Sequence, residues 1–264
     1  MIGIVLETYN FNEKNSKELT MYIKKIAILL FFSISFSQYF GGNISIGGAF
    51  PQREFKDQEV PSSFAIDLNA LYYLNDYAAF GFNFGGSQYG YTEREIPFNQ
   101  WVALGLIEET RNSMLYGNLL LKILPFKGPV KIYGEGLLGF KNLNTTTKLF
   151  SQSNNCDNPE TDVNECELAS DTNASNTAFG YGVGGGIEVV LTRMKDDDGN
   201  EVGELSFLVS AKHLWGGDVQ YLKEGAITVT PDPNGIDFPN VNYDFSQSRT
   251  DVMHYNIGIH FTSR

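Results

Sequence analysis

Hydrophobic residues recur at every second position in several separate stretches of this chain. In the first stretch Ile44, Ile46 and Phe50 alternate with small or polar residues, and in the fifth Ile132 and Leu138 do the same. Such alternation predicts β-strands that have one apolar face and one small or polar face. Eight stretches share this pattern, at residues 43–50, 64–74, 79–85, 115–123, 131–141, 179–190, 205–215 and 253–261.

The connections between these stretches differ regularly in length. Long polar connections follow the odd-numbered stretches, at residues 51–63, 92–112, 149–176 and 222–249. Short turns follow the even-numbered ones, at residues 74–77, 125–129 and 194–203. Long loops at one end and short turns at the other are typical of up-and-down membrane barrels. The sequence therefore predicts an all-β fold, an eight-stranded antiparallel up-and-down transmembrane β-barrel.

A soluble lipocalin-like barrel is the structural alternative, since it also has about eight alternating strands. Its apolar face would point inward around a ligand. Here glycines concentrate on the opposite, non-apolar face, for example Gly47, Gly81, Gly139 and Gly258. Glycines suit a crowded lumen better than a solvated exterior, so we expect the apolar face to meet lipid.

The N-terminal segment predicts export. Residues 21–37 begin with a basic pair, continue through the largely apolar run 26–34 and end in the small-x-small site 35–37, which together indicate a secretory signal peptide. The apolar run is too short for a spanning helix, which needs about 20 residues. We expect residues 1–20 to be a non-translated or disordered extension, and the barrel domain to span 38–264.

Charge and composition narrow the function classes. The formal net charge is −12, which excludes nucleic acid as a partner because little basic surface remains to neutralise phosphates. Charged residues make up 19% of the chain, below the usual share of about 25%. Aromatic residues make up 14%. The high content of aromatic residues and of glycine favours β-structure rather than helices.

One stretch imitates a dinucleotide-binding turn. Gly180, Gly182 and Gly185 have the G-x-G-x-x-G spacing, but that motif requires a helix after the third glycine. The β-branched run 187–192 follows instead. We therefore interpret the glycines as part of a barrel strand, and we expect neither a nucleotide nor any other cofactor.

The acidic turn 195–201 resembles a calcium loop in its oxygen ligands. Counted from Asp196, its glycine falls at position four, whereas an EF-hand loop needs it at position six. We expect a solvated hairpin turn and no metal site.

The polar face of the strands predicts a filled interior, because eight strands leave room for side chains but not for a wide pore. Charges buried there need partners. We expect Glu135 and Glu188 to pair with some of the four lysines in this set; a gated path for small solutes stays open as an alternative. The predicted lumen network consists of Asp67, Asn118, Lys122, Lys131, Glu135, Lys141, Glu188, Lys212, His254 and His260.

Aromatic residues cluster where the apolar faces meet the long loops, and they predict one interfacial girdle of a membrane barrel. The opposite girdle would include Tyr72, Phe126 and Phe261. Cys156 and Cys166 lie within the third long connection, where an oxidising compartment would allow a disulfide. The predicted loop-side girdle is Phe50, Phe64, Phe140, Phe179, Tyr181 and Trp215.

An enzyme would need a nucleophile, a base and an acid within hydrogen-bond reach. His213 lies near the loop end of the seventh stretch on the lipid-facing register, but Ser210 has the opposite register. His254 has no obvious seryl partner either. We expect no catalytic site.

From residue 39 onward the chain resembles the small eight-stranded outer-membrane barrels, which include the OmpA-like barrel and the PorT-like barrels of Bacteroidota. The resemblance rests on the strand pattern, the loop asymmetry, the signal ending "SFSQ" and the terminal strand "HYNIGIHF". In that family the last strand often ends on an aromatic residue, whereas here Phe261 is followed by three more residues.

The resemblance implies an outer-membrane location in contact with lipid. It also implies a structural or loop-mediated role, as an accessory of an envelope or secretion assembly that is contacted through the extracellular loops. Two alternatives remain open at this point: a narrow, OmpW-like conduit for small or apolar solutes, and a lipid-A-modifying barrel enzyme.

Overall fold

Eight strands form a closed antiparallel barrel in the computed structural model, which describes residues 39–99, 102–151, 167–230 and 240–263. The predicted extension, the signal peptide and both cysteines lie outside the described residues. The barrel strands are β1 (Tyr39–Pro51), β2 (Ser63–Asn75), β3 (Ala78–Asn99), β4 (Val102–Ile123), β5 (Val130–Ser151), β6 (Glu167–Lys195), β7 (Glu201–Gly216) and β12 (Val252–Ser263).

Neighbours along the chain are neighbours in the sheet, and β1 closes the ring against β12. The closing ladder is in register over its length, with Ile44 opposite Ile259 and Phe40 opposite Ser263. The predicted fold class, an eight-stranded antiparallel up-and-down barrel, is confirmed.

Alternation along the strands separates an apolar exterior from an interior that holds the buried polar side chains together with apolar clusters. On β1 the side chain of Ile44 is 56% exposed, whereas the neighbouring Ser45 is 2% exposed. Successive side chains of a strand point to opposite faces, so one register puts every second apolar residue outside. Within the described residues, no helix is long and apolar enough to cross a membrane.

The short turns lie at the end of the barrel that carries the start of β1 and the end of β12. The acidic turn between β6 and β7 is a hairpin in which Asp196 Oδ1 accepts the backbone N–H groups of Asp198 and Asn200, at 3.1 and 2.7 Å. The side chain of Asn200 also donates to Asp196 Oδ2 at 3.2 Å, and this bond, followed by the backbone bonds, lowers the pKa of the Asp196 carboxyl. Gly199 has φ +85°, the left-handed region that this turn requires.

Two of the predicted loops are instead continuations of strands. β3 reaches Asn99 and β4 begins at Val102, so most of the polar stretch 92–112 is a paired hairpin. β5 and β6 likewise continue well into the stretch 149–176. Both faces of these extensions carry polar residues, and the hydrophobic alternation that reveals a half-buried strand is therefore missing.

The other two long connections also contain regular structure. Residues 51–63 include the helix α1 (Arg53–Asp57). The connection from β7 to β12 contains four short strands, which form two-stranded sheets outside the barrel. These are β8 (Asp218–Tyr221) paired with β11 (Ser246–Arg249), and β9 (Ile227–Thr230) paired with β10 (Asn240–Tyr243).

Candidate functional site

A carboxylate at the centre of the lumen organises the first polar cluster. Asp67 on β2 accepts a hydrogen bond from Lys212 Nζ at 2.7 Å and another from the Tyr116 hydroxyl at 2.7 Å. Asn83 Nδ2 lies 3.0 Å from each carboxylate oxygen of Asp67, and Asn118 Nδ2 donates to Asn83 Oδ1 at 3.0 Å. These side chains come from four strands, so the cluster crosses the lumen rather than lining one wall.

A second cluster lies on the side of the short turns. Lys122 and Glu188 form an ion pair in which each side chain is 1% exposed. The ammonium of Lys122 is also 4.0 Å from the centre of the Tyr133 ring, a cation–π contact. His260 Nδ1 is 3.9 Å from Glu188 Oε1, and its Nε2 is 2.8 Å from the Tyr73 hydroxyl.

The lumen opens to a shallow recess at the short-turn end. Lys131 forms an ion pair with Glu204, and Arg193 Nε lies 3.5 Å from the other oxygen of the same carboxylate. Tyr39 stacks on Tyr73 at 4.6 Å between ring centroids and forms part of the wall. The recess has a volume of about 140 Å³, and its charged lining residues are paired.

The ten predicted lumen residues all have inward register positions. Nine are buried, and Lys131 is half-buried beside the recess. His254 contacts the edge of the Tyr116 ring at 5.3 Å. The set therefore forms one column along the barrel axis.

The pairing inside this column differs from the prediction. Of the expected glutamate–lysine pairs, only Glu188 with Lys122 forms within the described residues. Asp67 forms an ion pair with Lys212, and Glu204 forms one with Lys131. Glu204 is absent from the predicted lumen residues because the predicted seventh strand begins at residue 205, whereas β7 begins at Glu201 and carries Glu204 with an inward register.

Glu135 and Lys141 have other surroundings. Glu135 is buried and forms no ion pair within the described residues, although Lys212 and Lys122 interact with it electrostatically. Lys141 donates to two backbone carbonyl oxygens, Leu214 O at 2.8 Å and Thr250 O at 2.6 Å. Carbonyl acceptors of this kind cannot be identified from side-chain patterns.

The loop end of the lumen is closed by an apolar layer. Phe55 of α1 is 1% exposed and packs against the rings of Tyr89 and Tyr221, with centroids 5.9 and 5.2 Å away. Burial raises the pKa of both tyrosine hydroxyls, so the layer stays uncharged. The sequence signal was weak: Phe55 and Val60 are isolated apolar residues in a polar stretch. Below them the layer continues with Ala49, Ala65, Met114, Leu143, Ala178 and Val252.

The helix that carries Phe55 is held to the rest of the loop end. Glu54 Oε2 accepts the backbone N–H of Arg249 at 3.2 Å, and Gln52 donates its backbone N–H to Asp251 O at 2.9 Å. Two residues beside or within α1, Arg53 and Glu59, have positive φ values of 51° and 61° although neither is glycine. The segment that carries Phe55 therefore has a defined conformation that is bonded to the rest of the loop end.

The glycine-rich stretch forms the middle of β6. A Cβ atom added at Gly182 would lie 2.6 Å from Leu214 Cδ2 and 2.7 Å from His213 O. One added at Gly184 would lie 2.8 Å from both Glu135 Oε1 and Lys212 Cβ. The strand runs on to Lys195 without a helix, so the geometry of a dinucleotide-binding turn is absent here.

Exposed apolar residues form a belt around the outside, bounded by aromatic rows. Phe40, Tyr72 and Phe80 lie side by side near the short turns, with ring centroids 5.3 and 5.4 Å apart. Phe40 and Phe50 lie ten residues apart on β1. At about 3.3 Å per residue and a tilt of about 40°, this separation corresponds to a height of about 25 Å, that of an outer-membrane apolar band.

The predicted loop-side girdle occupies the other border of the belt. Five of its six members are exposed, and Trp215 is half-buried because Tyr181 stacks on it with ring centroids 5.2 Å apart. Phe140 and Phe179 meet edge to face at 5.9 Å. Phe50 contacts Tyr255 in the same way at 5.7 Å.

Neither His213 nor His254 has a serine within hydrogen-bond reach in the part of the chain that the structure describes. His213 lies outside against Trp215, at 4.5 Å between ring centroids, whereas Ser210 is buried inside the barrel. Both ring nitrogens of the buried His254 lack a hydrogen-bond partner. The described residues contain no group of three or more His, Cys, Asp and Glu side chains that could hold a metal ion.

Comparisons with known proteins give structural matches only. No protein-family model and no curated protein matches the chain. Among solved structures, it is similar to Ail, the attachment invasion locus protein of Yersinia pestis, at 14% identity, with 84% of this chain and 97% of that chain covered and a TM-score of 0.34.

Two further structures match in the same way. Neisserial surface protein A is 11% identical, with coverages of 86% and 97% and a TM-score of 0.35. A major outer membrane protein from Thermus thermophilus is 12% identical, with coverages of 86% and 100% and a TM-score of 0.35. These values are low, and the assignment of the barrel rests on the strand pairing of this chain.

Proposed function

We propose that this chain is an outer-membrane barrel with a permanently filled lumen, and that its role is structural or mediated by its extracellular loops. The observation that carries the proposal is the combination of an apolar belt about 25 Å high with an interior occupied by paired charges. A charge exposed to lipid is costly, and here the charged side chains at belt level lie inside.

The filled lumen favours a structural role over the conduit. Two buried ion pairs, Asp67 with Lys212 and Glu188 with Lys122, occupy the lumen at belt level. Phe55 and its aromatic partners close the loop end. A solute would have to displace both the buried ion pairs and the aromatic side chains in order to pass through the barrel.

Fractionation and conductance test this proposal. We expect the protein in the outer-membrane fraction, with a gel mobility that shifts on heating, and we expect planar bilayers containing the folded protein to show no current steps. Recovery as a soluble periplasmic protein would contradict the membrane assignment. Reproducible current steps from folded protein would support the conduit instead.

We also propose that the protein is not an enzyme, since His213 and Ser210 lie on opposite sides of the barrel wall. Lipid A mass spectra should be unchanged after deletion or overexpression. A new or missing acyl chain that depends on His213 would contradict this.

The loop end is the proposed contact for an envelope or secretion partner. Strands β3–β6 project well beyond the girdle, and β8–β11 add further surface at that end. Crosslinking in intact cells should recover a consistent protein partner. A variant with a shortened β3–β4 hairpin should lose this partner while its barrel remains folded. If an unrelated barrel of equal abundance gave the same set of crosslinked proteins, a specific role of this loop end would be contradicted.

Export and the disulfide belong to the same proposal. Cleavage after residue 37 should leave a mature N-terminus at Gln38, which N-terminal peptide mass spectrometry reads directly. A bridge between Cys156 and Cys166 should make the protein 2 Da lighter than its reduced form. An uncleaved chain, or two titratable thiols in the exported protein, would contradict these two points.

A further inference from the structure

A neutral polar surface lies on the outer face of the projecting strands. It consists of residues with hydroxyl or amide side chains from β4, β5 and β6, and we call it the outer polar ladder. Its members are Ser113, Asn142, Asn144, Thr146, Thr172, Ser175 and Thr177.

Strand pairing makes these residues contiguous. Ser113 is opposite Asn144, which is opposite Ser175 on the next strand. Asn142 is likewise opposite Thr177. The ladder therefore forms one patch three strands wide, not scattered polar positions.

Hydrogen bonds order the side chains of the ladder. Asn142 Nδ2 donates to Ser175 Oγ at 3.2 Å and to Thr177 Oγ1 at 3.0 Å. Asn144 Nδ2 donates to Thr146 Oγ1 at 3.2 Å. Side chains that are already ordered lose less conformational entropy when a ligand binds.

The ladder continues the lipid-facing belt without a break. Phe140 and Phe179 face outward at the belt border, and the next outward positions on the same strands are Asn142 and Thr177. On an outer membrane, the layer that meets the wall just outside the hydrocarbon is the saccharide of the outer-leaflet glycolipid.

The charges around the ladder favour neutral sugar over phosphate. The two cations beside it are already paired, Arg111 with Glu109 and Lys148 Nζ with Glu167 Oε2 at 2.6 Å. A phosphate site would need free arginine or lysine side chains. Hydroxyl and amide groups instead match the donors and acceptors of sugar hydroxyls.

We propose that the outer polar ladder binds the neutral core saccharide of an outer-leaflet glycolipid and thereby fixes a glycolipid molecule against the β4–β6 side of the barrel. This inference rests on the proposed outer-membrane location. It adds a ligand class and a specific surface to that location.

The test compares two glycolipid probes on the full exported protein, folded in detergent. One probe is lipid A that carries its core oligosaccharide, and the other is lipid A alone. Binding is measured by native mass spectrometry for the wild type and for the triple variant Asn142→Val/Asn144→Val/Thr177→Val. A double variant Asn242→Val/Gln247→Val, on exposed positions of β10 and β11, is the control.

We expect the wild type to bind the core-bearing probe more tightly than lipid A alone. The triple variant should bind the core-bearing probe at least about tenfold more weakly, which corresponds to the loss of one or two net hydrogen bonds. Its affinity for lipid A alone, and both affinities of the control, should not change.

Equal binding of the two probes by the wild type would overturn the inference, as would unchanged binding by the triple variant. A crosslinked dimer that the triple variant loses, with glycolipid binding intact, would assign the surface to a second copy and also overturn it. If the triple variant fails to show the heat-dependent mobility shift, the single variants Asn142→Ala and Thr177→Ala replace it. Failure of the wild type itself to fractionate with the outer membrane would instead contradict the proposed function.

Discussion

The same strands have opposite polarity below and above the aromatic girdle. At the level of the belt, β5 directs Leu138 outward and Glu135 inward; just above it, β5 directs Asn144 outward and Leu143 inward. The strand pairing is continuous through the change. The strand pairing therefore does not depend on the polarity of the side chains. In the proposed membrane setting, the surroundings explain which residues face outward: apolar residues at the level of the lipid hydrocarbon, and polar residues at the polar level above it.

This change of polarity between the two levels of the barrel has a consequence for stability. At belt level the interior combines an apolar cluster that includes Leu120, Leu137 and Leu208 with buried charge pairs, and these pairs cannot be broken singly without leaving a buried charge. Above the belt the interior is held by apolar packing under Phe55. Each region should respond to a different kind of substitution, and the effects can be ranked.

The largest effect should come from breaking the central ion pair. Asp67→Ala leaves Lys212 buried without its carboxylate, and we expect the free energy of unfolding to fall by about 3–5 kcal/mol. Urea titration in phospholipid vesicles, followed by tryptophan fluorescence, measures it. The double variant Asp67→Asn/Lys212→Met should recover most of the loss, and equal losses in both variants would contradict the explanation.

Apolar packing above the belt should be the next most sensitive. Leu143→Ala removes a side chain that is 1% exposed, and we expect a loss of about 2–5 kcal/mol. Leu138→Ala on the same strand is the control, since Leu138 is 50% exposed towards the proposed lipid and leaves no internal cavity. If the two variants lost the same free energy, the two regions would not differ as described.

The narrow lumen at belt level should resist added volume. Gly182→Leu forces a side chain against Leu214, and we expect a loss of about 1–3 kcal/mol together with slower folding into vesicles. Gly136→Leu is the matched control, because a Cβ there meets no atom within 4 Å. A fully stable Gly182→Leu barrel would show that the lumen is wider than its contacts indicate.

The smallest effect on the free energy of unfolding should come from the loop-side aromatic girdle at the border of the belt. Phe140→Ala removes an edge-to-face contact with Phe179, which contributes about 0.5–1.5 kcal/mol beyond burial. The same urea titration should show a loss of this order, and Phe179→Ala should add little to it in the double variant. Fully additive losses would mean that the two rings act independently.

The sequence predicts the belt well and the projecting region poorly, for a physical reason. Within the belt, residues such as Ile44 and Ser45 alternate because one face is exposed on the outside, towards the proposed lipid, and the other faces the lumen. Between Tyr91 and Glu95, and between Glu108 and Arg111, polar residues occupy both faces of the paired strands, so no hydrophobic period marks these segments. Strand β3 there is recognisable only from its pairing.

The interior could be predicted as a set but not as pairs. Register positions identify Asp67, Lys122, Glu188 and Lys212 as inward-facing. They do not indicate that Asp67 on β2 meets Lys212 on β7, because those strands are not neighbours in the sheet. Contacts across a barrel depend on the tilt and stagger of all its strands.

The pairing of β1 with β12 places the first and last strands of the barrel side by side. Until β12 is delivered, β1 and β7 both present a row of unpaired backbone groups, which lipid cannot satisfy. The barrel therefore cannot close without β12, and a chain truncated before residue 252 would be left as an open sheet. Such a sheet would have two unpaired edges that can pair with other chains, so it would be prone to aggregation rather than a smaller version of the finished protein.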